Sequence, residues 1–185
     1  PAACSRGAEM ASAPDLMPEL VVEELDLIRR ALPVAGADLL DLGCGDGAMA
    51  RRLAAAGARV TAVEVSTASI APDPAVTVIE GRAEALPLDD AGFDAVLMLK
   101  SLHHVPVAAM EAGLREVARV LRPGGLLFCW EPVFAGPFND IMRLFHDEQA
   151  QRAAALAALH RVIAEGRLEF VDERLFRTRI GFADF

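Results

Sequence analysis

Three glycines at alternate positions, Gly43, Gly45 and Gly47, follow an acid, Asp41, and lead into a helical pattern that begins at about Gly47. Glycines between a strand and a helix let a ligand approach backbone N–H groups, and a helix N-terminus favours negative charge. The turn therefore reads as a seat for an anionic group. Gly43-Cys44-Gly45-Asp46-Gly47-Ala48 also satisfies the dinucleotide pattern GxGxxG/A, with Glu64 about 20 residues further on. The glycines alone do not choose between ligands. Cys44 reads as a small residue whose backbone matters rather than as a nucleophile.

His103 and His104 form the second set, with Glu131 beyond them. A neutral imidazole at a cleft can orient an acceptor or take its proton near neutral pH; a hydrogen-bonding loop residue is the plainer reading. His146, Asp147 and Glu148 invite a metal reading. Neighbours on a helix point in different directions, however, whereas metal-binding pairs share a face at i, i+4. A solvated helix surface is the expectation there. Cys4, Cys44 and Cys129 are odd in number and include no CxxC pair, so neither a disulfide framework nor a zinc site is indicated. No metal is expected, and a reducing cytoplasm fits.

The elements that must position these residues follow from periodicity. Val21, Leu25, Ile28 and Leu32 recur at helical spacing between Pro18 and Leu32, with charges on the other face. Asp38 to Leu42 predicts a strand, and the glycine turn leads into a helix from about Gly47 to Ala56. Arg59 to Val65, Val76 to Glu80 and Phe93 to Leu99 predict three more strands. Val107 to Leu121 predicts a helix, Arg122-Pro123-Gly124-Gly125 a turn and Leu126 to Trp130 a fifth strand. An Ala-rich helix from Pro137 to Glu165 and a sixth strand from Leu168 to Phe176 complete the pattern. Alternating strands and helices need crossovers between parallel strands, which gives a doubly wound α/β fold with its site at the strands' carboxyl ends.

Composition bounds the function. The 185 residues, 54% hydrophobic, suit one domain with a sizeable core. Residues 1–17 read as a flexible or added leader. Residues 18–185 form the domain: an N-terminal helix region (18–36), a ligand-binding core (37–132), and a covering helix with the sixth strand (133–185). With 18 Lys plus Arg against 27 Asp plus Glu, the formal charge of -9 lacks the positive field that phosphate backbones require. Nucleic acid is not an expected partner. The longest strongly apolar stretch, Ala95 to Leu99, falls far short of the roughly 20 residues that span a bilayer.

From Asp38 to Pro132 the ordered motifs resemble class I methyltransferases that use S-adenosylmethionine (SAM), in particular the small-molecule group that includes the ubiquinone and menaquinone biosynthesis enzymes. The pieces are Asp41 before Gly43, Glu64 closing the second strand, Gly81-Arg82-Ala83-Glu84-Ala85-Leu86-Pro87-Leu88, Phe93-Asp94-Ala95-Val96 and Leu121-Arg122-Pro123-Gly124-Gly125. The resemblance implies a Rossmann-like, mostly parallel sheet with helices on both faces, and methyl transfer to O, N or C of a small acceptor. It implies that the turn of Gly43, Cys44, Gly45 and Gly47 takes the cofactor's carboxylate end, with Asp41 near its sulfonium and ammonium. Glu64 would accept the ribose hydroxyls, Val65 would pack on the adenine face, and Ala83 and Glu84 would reach its edge. Leu99 and Lys100 would line the methionine portion, and the first and last helices would roof the acceptor.

The chain departs from that pattern in three places. Only Ser66 to Ala75, with Pro72 and Pro74, connects strands two and three, where the family has a full helix. Arg82 stands where the family often carries Asp for the adenine amino group. The terminal hairpin of strands six and seven lacks sequence for strand seven, so the expectation is a truncated chain or a second copy covering the sheet edge. Two other functions remain open from sequence: an NAD(P)-dependent oxidoreductase, and a SAM-binding or interaction module without catalysis.

Overall fold

The computed structural model describes residues 23–176. Five strands form one wholly parallel sheet: β1 (Asp38–Leu42), β2 (Arg59–Glu64), β3 (Val76–Glu80), β4 (Phe93–Leu99) and β5 (Leu121–Trp130), in the order β3-β2-β1-β4-β5. The chain builds outward from β1 to β3, then crosses to β1's other side for β4. That reversal leaves a crevice above the carboxyl ends of β1 and β4, where open α/β sheets take their ligands.

Side-chain alternation along the strands divides the core into two layers. Leu39 of β1 and Ala95 and Leu97 of β4 face α1 (Glu24–Ala31) and α2 (Ala48–Ala55), packing with Ile28, Leu32 and Leu53. Leu40 and Leu42, with Val96 and Met98, face the other way onto Leu114 and Val117 of α3 (Met110–Val120). A fully buried Leu or Val stabilises the fold by about 1.5–3 kcal/mol, so the two layers carry the sheet. Asp41 falls by alternation on the α1/α2 side, one strand position beyond Leu39 on that face. The sequence thus delivers a carboxylate into an apolar layer.

Several expectations need correction. The Ala-rich helix is two helices, α4 (Pro137–Met142) and α5 (Gln149–Ala164), broken between them. Asp147 Oδ1 accepts from Gln149 N–H at 3.0 Å and supplies the first turn of α5 with an acceptor, which is why a helix restarts there. Nor does a sixth strand form at Leu168 to Phe176: the stretch has no ladder partner among the described residues, and Phe170 and Val171 are exposed. A strand exists only through its ladder, and β-rich composition does not provide one. Phe176 instead meets Trp130 edge to face, 4.8 Å between ring centres.

Elsewhere β1, β3 and β4 have the bounds their sequences predict and β2 ends one residue early, while β5 begins at Leu121, so the predicted turn 122–125 lies inside the strand, where its ladder with β4 shifts register. Between β2 and β3 lies only a short turn of 3-10 helix, Thr67–Ser69, so that face of the sheet is thinner, as the two prolines imply. The helix predicted from Val107 opens as a 3-10 turn and becomes α3 at Met110. The N-terminal helix is seen from Glu24, and the positions predicted helical before residue 23 lie outside the described residues, as does the leader. No helix of the described residues is long and apolar enough to cross a membrane.

Candidate active site

The three glycines serve different purposes. Gly43 has φ +76°, and a Cβ there would lie 2.5 Å from Cβ of Ser101 in the loop after β4. Ser101 Oγ donates to Leu42 O at 2.8 Å, so that close approach fastens β1 to the β4 loop. Gly45, φ +59°, faces open space, with nothing within 4 Å of an added Cβ. Its N–H donates to Glu64 Oε2 at 2.8 Å, while Val65 N–H donates to Glu64 Oε1 at 2.8 Å. Gly47, φ +74°, caps α2, and Asp46 Oδ1 accepts from Ala48 N–H at 2.9 Å.

This arrangement decides between the two ligands the glycines allow. Carboxylates already occupy the N–H groups of Gly45 and Ala48, with Asp41 beside them, and the one cation on the turn among these contacts, Arg51, donates to Asp46 O at 3.1 Å rather than to any of the three carboxylates. A pyrophosphate would meet three acids, whereas a ligand carrying positive charge is attracted. Asp41 is 1% exposed, and its Oδ2 has no hydrogen-bond partner. Burial, reinforced by the charge of Glu64, raises its carboxyl to about 7. An orphaned buried acceptor of this kind is what a sulfonium or ammonium group would complete, so the residues fit SAM. The Cys44 thiol is pushed up to about 12 by burial, then by Asp41 and Glu64, and is no nucleophile near neutral pH.

Asp41, Gly43, Cys44, Gly45, Gly47, Glu64 and Val65 come together at the ends of β1 and β2. Val65 is 59% exposed, presenting an apolar face beside Glu64. Gly81 N–H donates to Glu64 O at 2.9 Å, which brings the segment after β3 alongside. There Ala83 packs against Gly113 of α3, and Glu84 pairs with Arg82 at 2.7 Å, an ion pair that holds its carboxyl below the usual range. Leu99 packs on the α1/α2 layer. Lys100, in the left-handed region at φ +57°, extends its ammonium to Glu24 of α1 at 2.9 Å and over the Trp130 ring.

A second cluster sits beyond β4 and β5. His103, 5% exposed, holds its Nδ1 against Glu131, whose other oxygen accepts from Leu102 N–H at 2.9 Å. His104 is exposed, its ring 4.1 Å from that of His103. Glu148, which a continuous helix would have left on a solvated surface, is turned inward at the break before α5. Its side chain is 13% exposed and meets His146 at 2.7 Å and Arg152 at 2.6 Å. Asp147 beside a helical run was the sequence signal for that break.

The chain matches the methyltransferase domain family over residues 40–129. It is 37% identical over 126 residues to the demethylmenaquinone methyltransferase of Clavibacter sepedonicus, covering 64% of this chain and 50% of that one. With the ubiquinone/menaquinone biosynthesis C-methyltransferase UbiE of Rubrivivax gelatinosus it shares 33% over 170 residues, 85% of this chain and 66% of the relative. The chain thus spans about half to two thirds of the length of such relatives. Among solved structures it resembles a SAM-dependent methyltransferase of Methanosarcina mazei (25% identity, TM-score 0.51, 60% of this chain and 57% of that one). It also resembles the 4+2 cyclase SpnF (26%, TM-score 0.52, 77% and 67%). With the parallel sheet, the glycine turn and the acids above it, these matches place the chain in the class I SAM-dependent methyltransferases.

Proposed function

We propose that the protein transfers the methyl group of SAM to O, N or C of a small-molecule acceptor, in the cytoplasm. The observation that carries this reading is Asp41, buried and unpartnered beside the Glu64 carboxylate at the glycine turn. When bound, SAM supplies an electrophilic methyl on a cationic sulfur. Asp41 then supplies the opposing charge. Glu64, with each oxygen accepting one backbone N–H, keeps lone pairs for two ribose hydroxyls. Gly43 to Gly45 leave room for the amino-acid end, Val65 for the adenine face, and Ala83 and Glu84 for its edge. Leu99 and Lys100 border the methionine portion. His103 and His104 stand on the acceptor's side, where alignment in a cleft shielded from water supplies much of the rate. The free thiols Cys44 and Cys129 accord with a reducing compartment.

Calorimetry with SAM and with NAD tests the cofactor, and tighter binding of NAD would overturn the assignment. A second reading, SAM binding without methyl transfer, draws support from the similarity to a protein named as a cyclase. SAM affinity combined with no transfer across a panel of phenol, amine and enol acceptors selects that reading.

A further inference from the structure

We propose that His103, His104 and Glu148 form a binding site for a divalent first-row transition-metal cation of the zinc type. One ligand atom from each lies within 4.8 Å of the others. Two imidazoles and a carboxylate leave coordination positions open, the donor set of catalytic zinc and of non-haem iron rather than of magnesium or calcium.

The orientation of the deeper histidine supplies an independent observation. Glu131 takes His103 Nδ1, so Nε2 is the ring nitrogen left for the cluster. The nearest charged atom to that Nε2, Glu148 Oε2, is 3.8 Å away, too far for a hydrogen bond. Nε2 of this buried residue therefore makes no hydrogen bond to Glu148 and stands beside it within the cluster. A carboxylate held on one ring nitrogen is how proteins orient a histidine whose other nitrogen ligates a metal. Glu148 is held in the same manner by Arg152 and His146.

Charge and space agree. With the neutral imidazoles that metal ligation requires, Glu131 and Glu148 outweigh Arg152 by one negative charge. Zinc bonds of about 2.0–2.2 Å need the ligand atoms drawn together by roughly an ångström. His104 is exposed and can turn to do so. The cluster lies beyond the end of β4, beside the acceptor's expected place.

Cation binding is measurable without SAM or acceptor, so its outcome is separate from that of methyl transfer. The full chain, stripped with chelator, is titrated with Co²⁺ by visible ligand-field absorption and with Zn²⁺ by calorimetry. One ion per chain is expected. Because His103→Ala removes a buried ring and risks the fold, the informative variants are His104→Ala and Glu148→Gln. Each should weaken binding about tenfold or more, and Glu131→Gln, acting through His103, about 10- to 100-fold. Circular dichroism checks that each is folded. His160→Ala, on the exposed face of α5, should leave affinity unchanged. Wild-type protein that takes up no ion overturns the proposal, as does stoichiometric binding that survives both His104→Ala and Glu148→Gln.

Discussion

Asp38 and Asp41 sit three residues apart on one strand, and the molecule treats them in opposite ways. Asp38, at the amino end of β1, accepts from Arg59 at 2.5 Å and from Arg122 at 2.8 Å. Arg122 also reaches Asp94, whose second oxygen accepts from Asp38 N–H at 2.8 Å. The Arg59 and Arg122 guanidiniums hold the Asp38 carboxyl well below its ordinary value. Asp41, at the carboxyl end, has burial without a cation, and its carboxyl is raised to about 7. One end of the sheet has its charges matched, and the other keeps a charge unmatched. Free energy withheld at one end of a strand, in the class of fold that binds at that end, is a mark of binding rather than of architecture.

The largest test of this contrast is Asp41→Asn. SAM affinity should fall about 100-fold or more, because a buried charge loses its partner. Stability should move the other way. The Asp41 carboxyl is raised from 3.8 to about 7, so the unliganded protein loses stability as pH climbs through that window. By linkage the loss is on the order of 4 kcal/mol and complete above about pH 7. The gain from Asp41→Asn should therefore be full at pH 8 and vanish near pH 4 in urea titrations. For the same reason, wild-type SAM affinity should drop up to tenfold per unit as pH falls below 7, since binding must expel a proton. Equal affinity at pH 5.5 and 7.5 would sink the assignment.

Next in size, Gly43→Ala should cost about 3 kcal/mol, combining a left-handed backbone with a methyl driven into Ser101. Denaturant unfolding reads it directly. At the amino end, Arg122→Ala should lower the denaturation midpoint by less than Gly43→Ala does, since these pairs are partly exposed and screened. That loss should shrink as acid protonates Asp38, whose contribution is present above the ordinary carboxylate range and lost as pH falls through its lowered value. Smallest in stability is Gly45→Ala, about 1 kcal/mol or less for the left-handed residue in open space. Its effect should appear instead in SAM affinity. A Gly45→Ala protein that binds SAM like wild type would place the ligand elsewhere.

Much of this was legible in the sequence because it is local. Strand bounds from β1 to β4 follow runs of Val, Ile and Leu flanked by turn residues, and Asp41, the glycines and Glu64 lie within 24 positions of one another. What escaped depends on distant partners. The need for glycine at 43 is set by Ser101, and the inward turn of Glu148 by a helix break and by His103. The sixth strand failed for the same reason: Leu168 to Phe176 has the composition of a strand but nothing to pair with among the described residues. The Asp38, Arg59, Asp94 and Arg122 cluster was equally hidden, since no spacing rule joins four strand ends.

That cluster also bears on how long the folded state lasts. Arg122 and Asp38 are 84 positions apart, and a contact closing so large a loop is repaid only after β1, β4 and β5 have come together. Its energy then belongs to the native state and not to the barrier crossed in reaching it. Removing it should leave refolding at its former pace and quicken unfolding, so the four charges act as a clasp that lengthens the life of the finished sheet without being needed to form it.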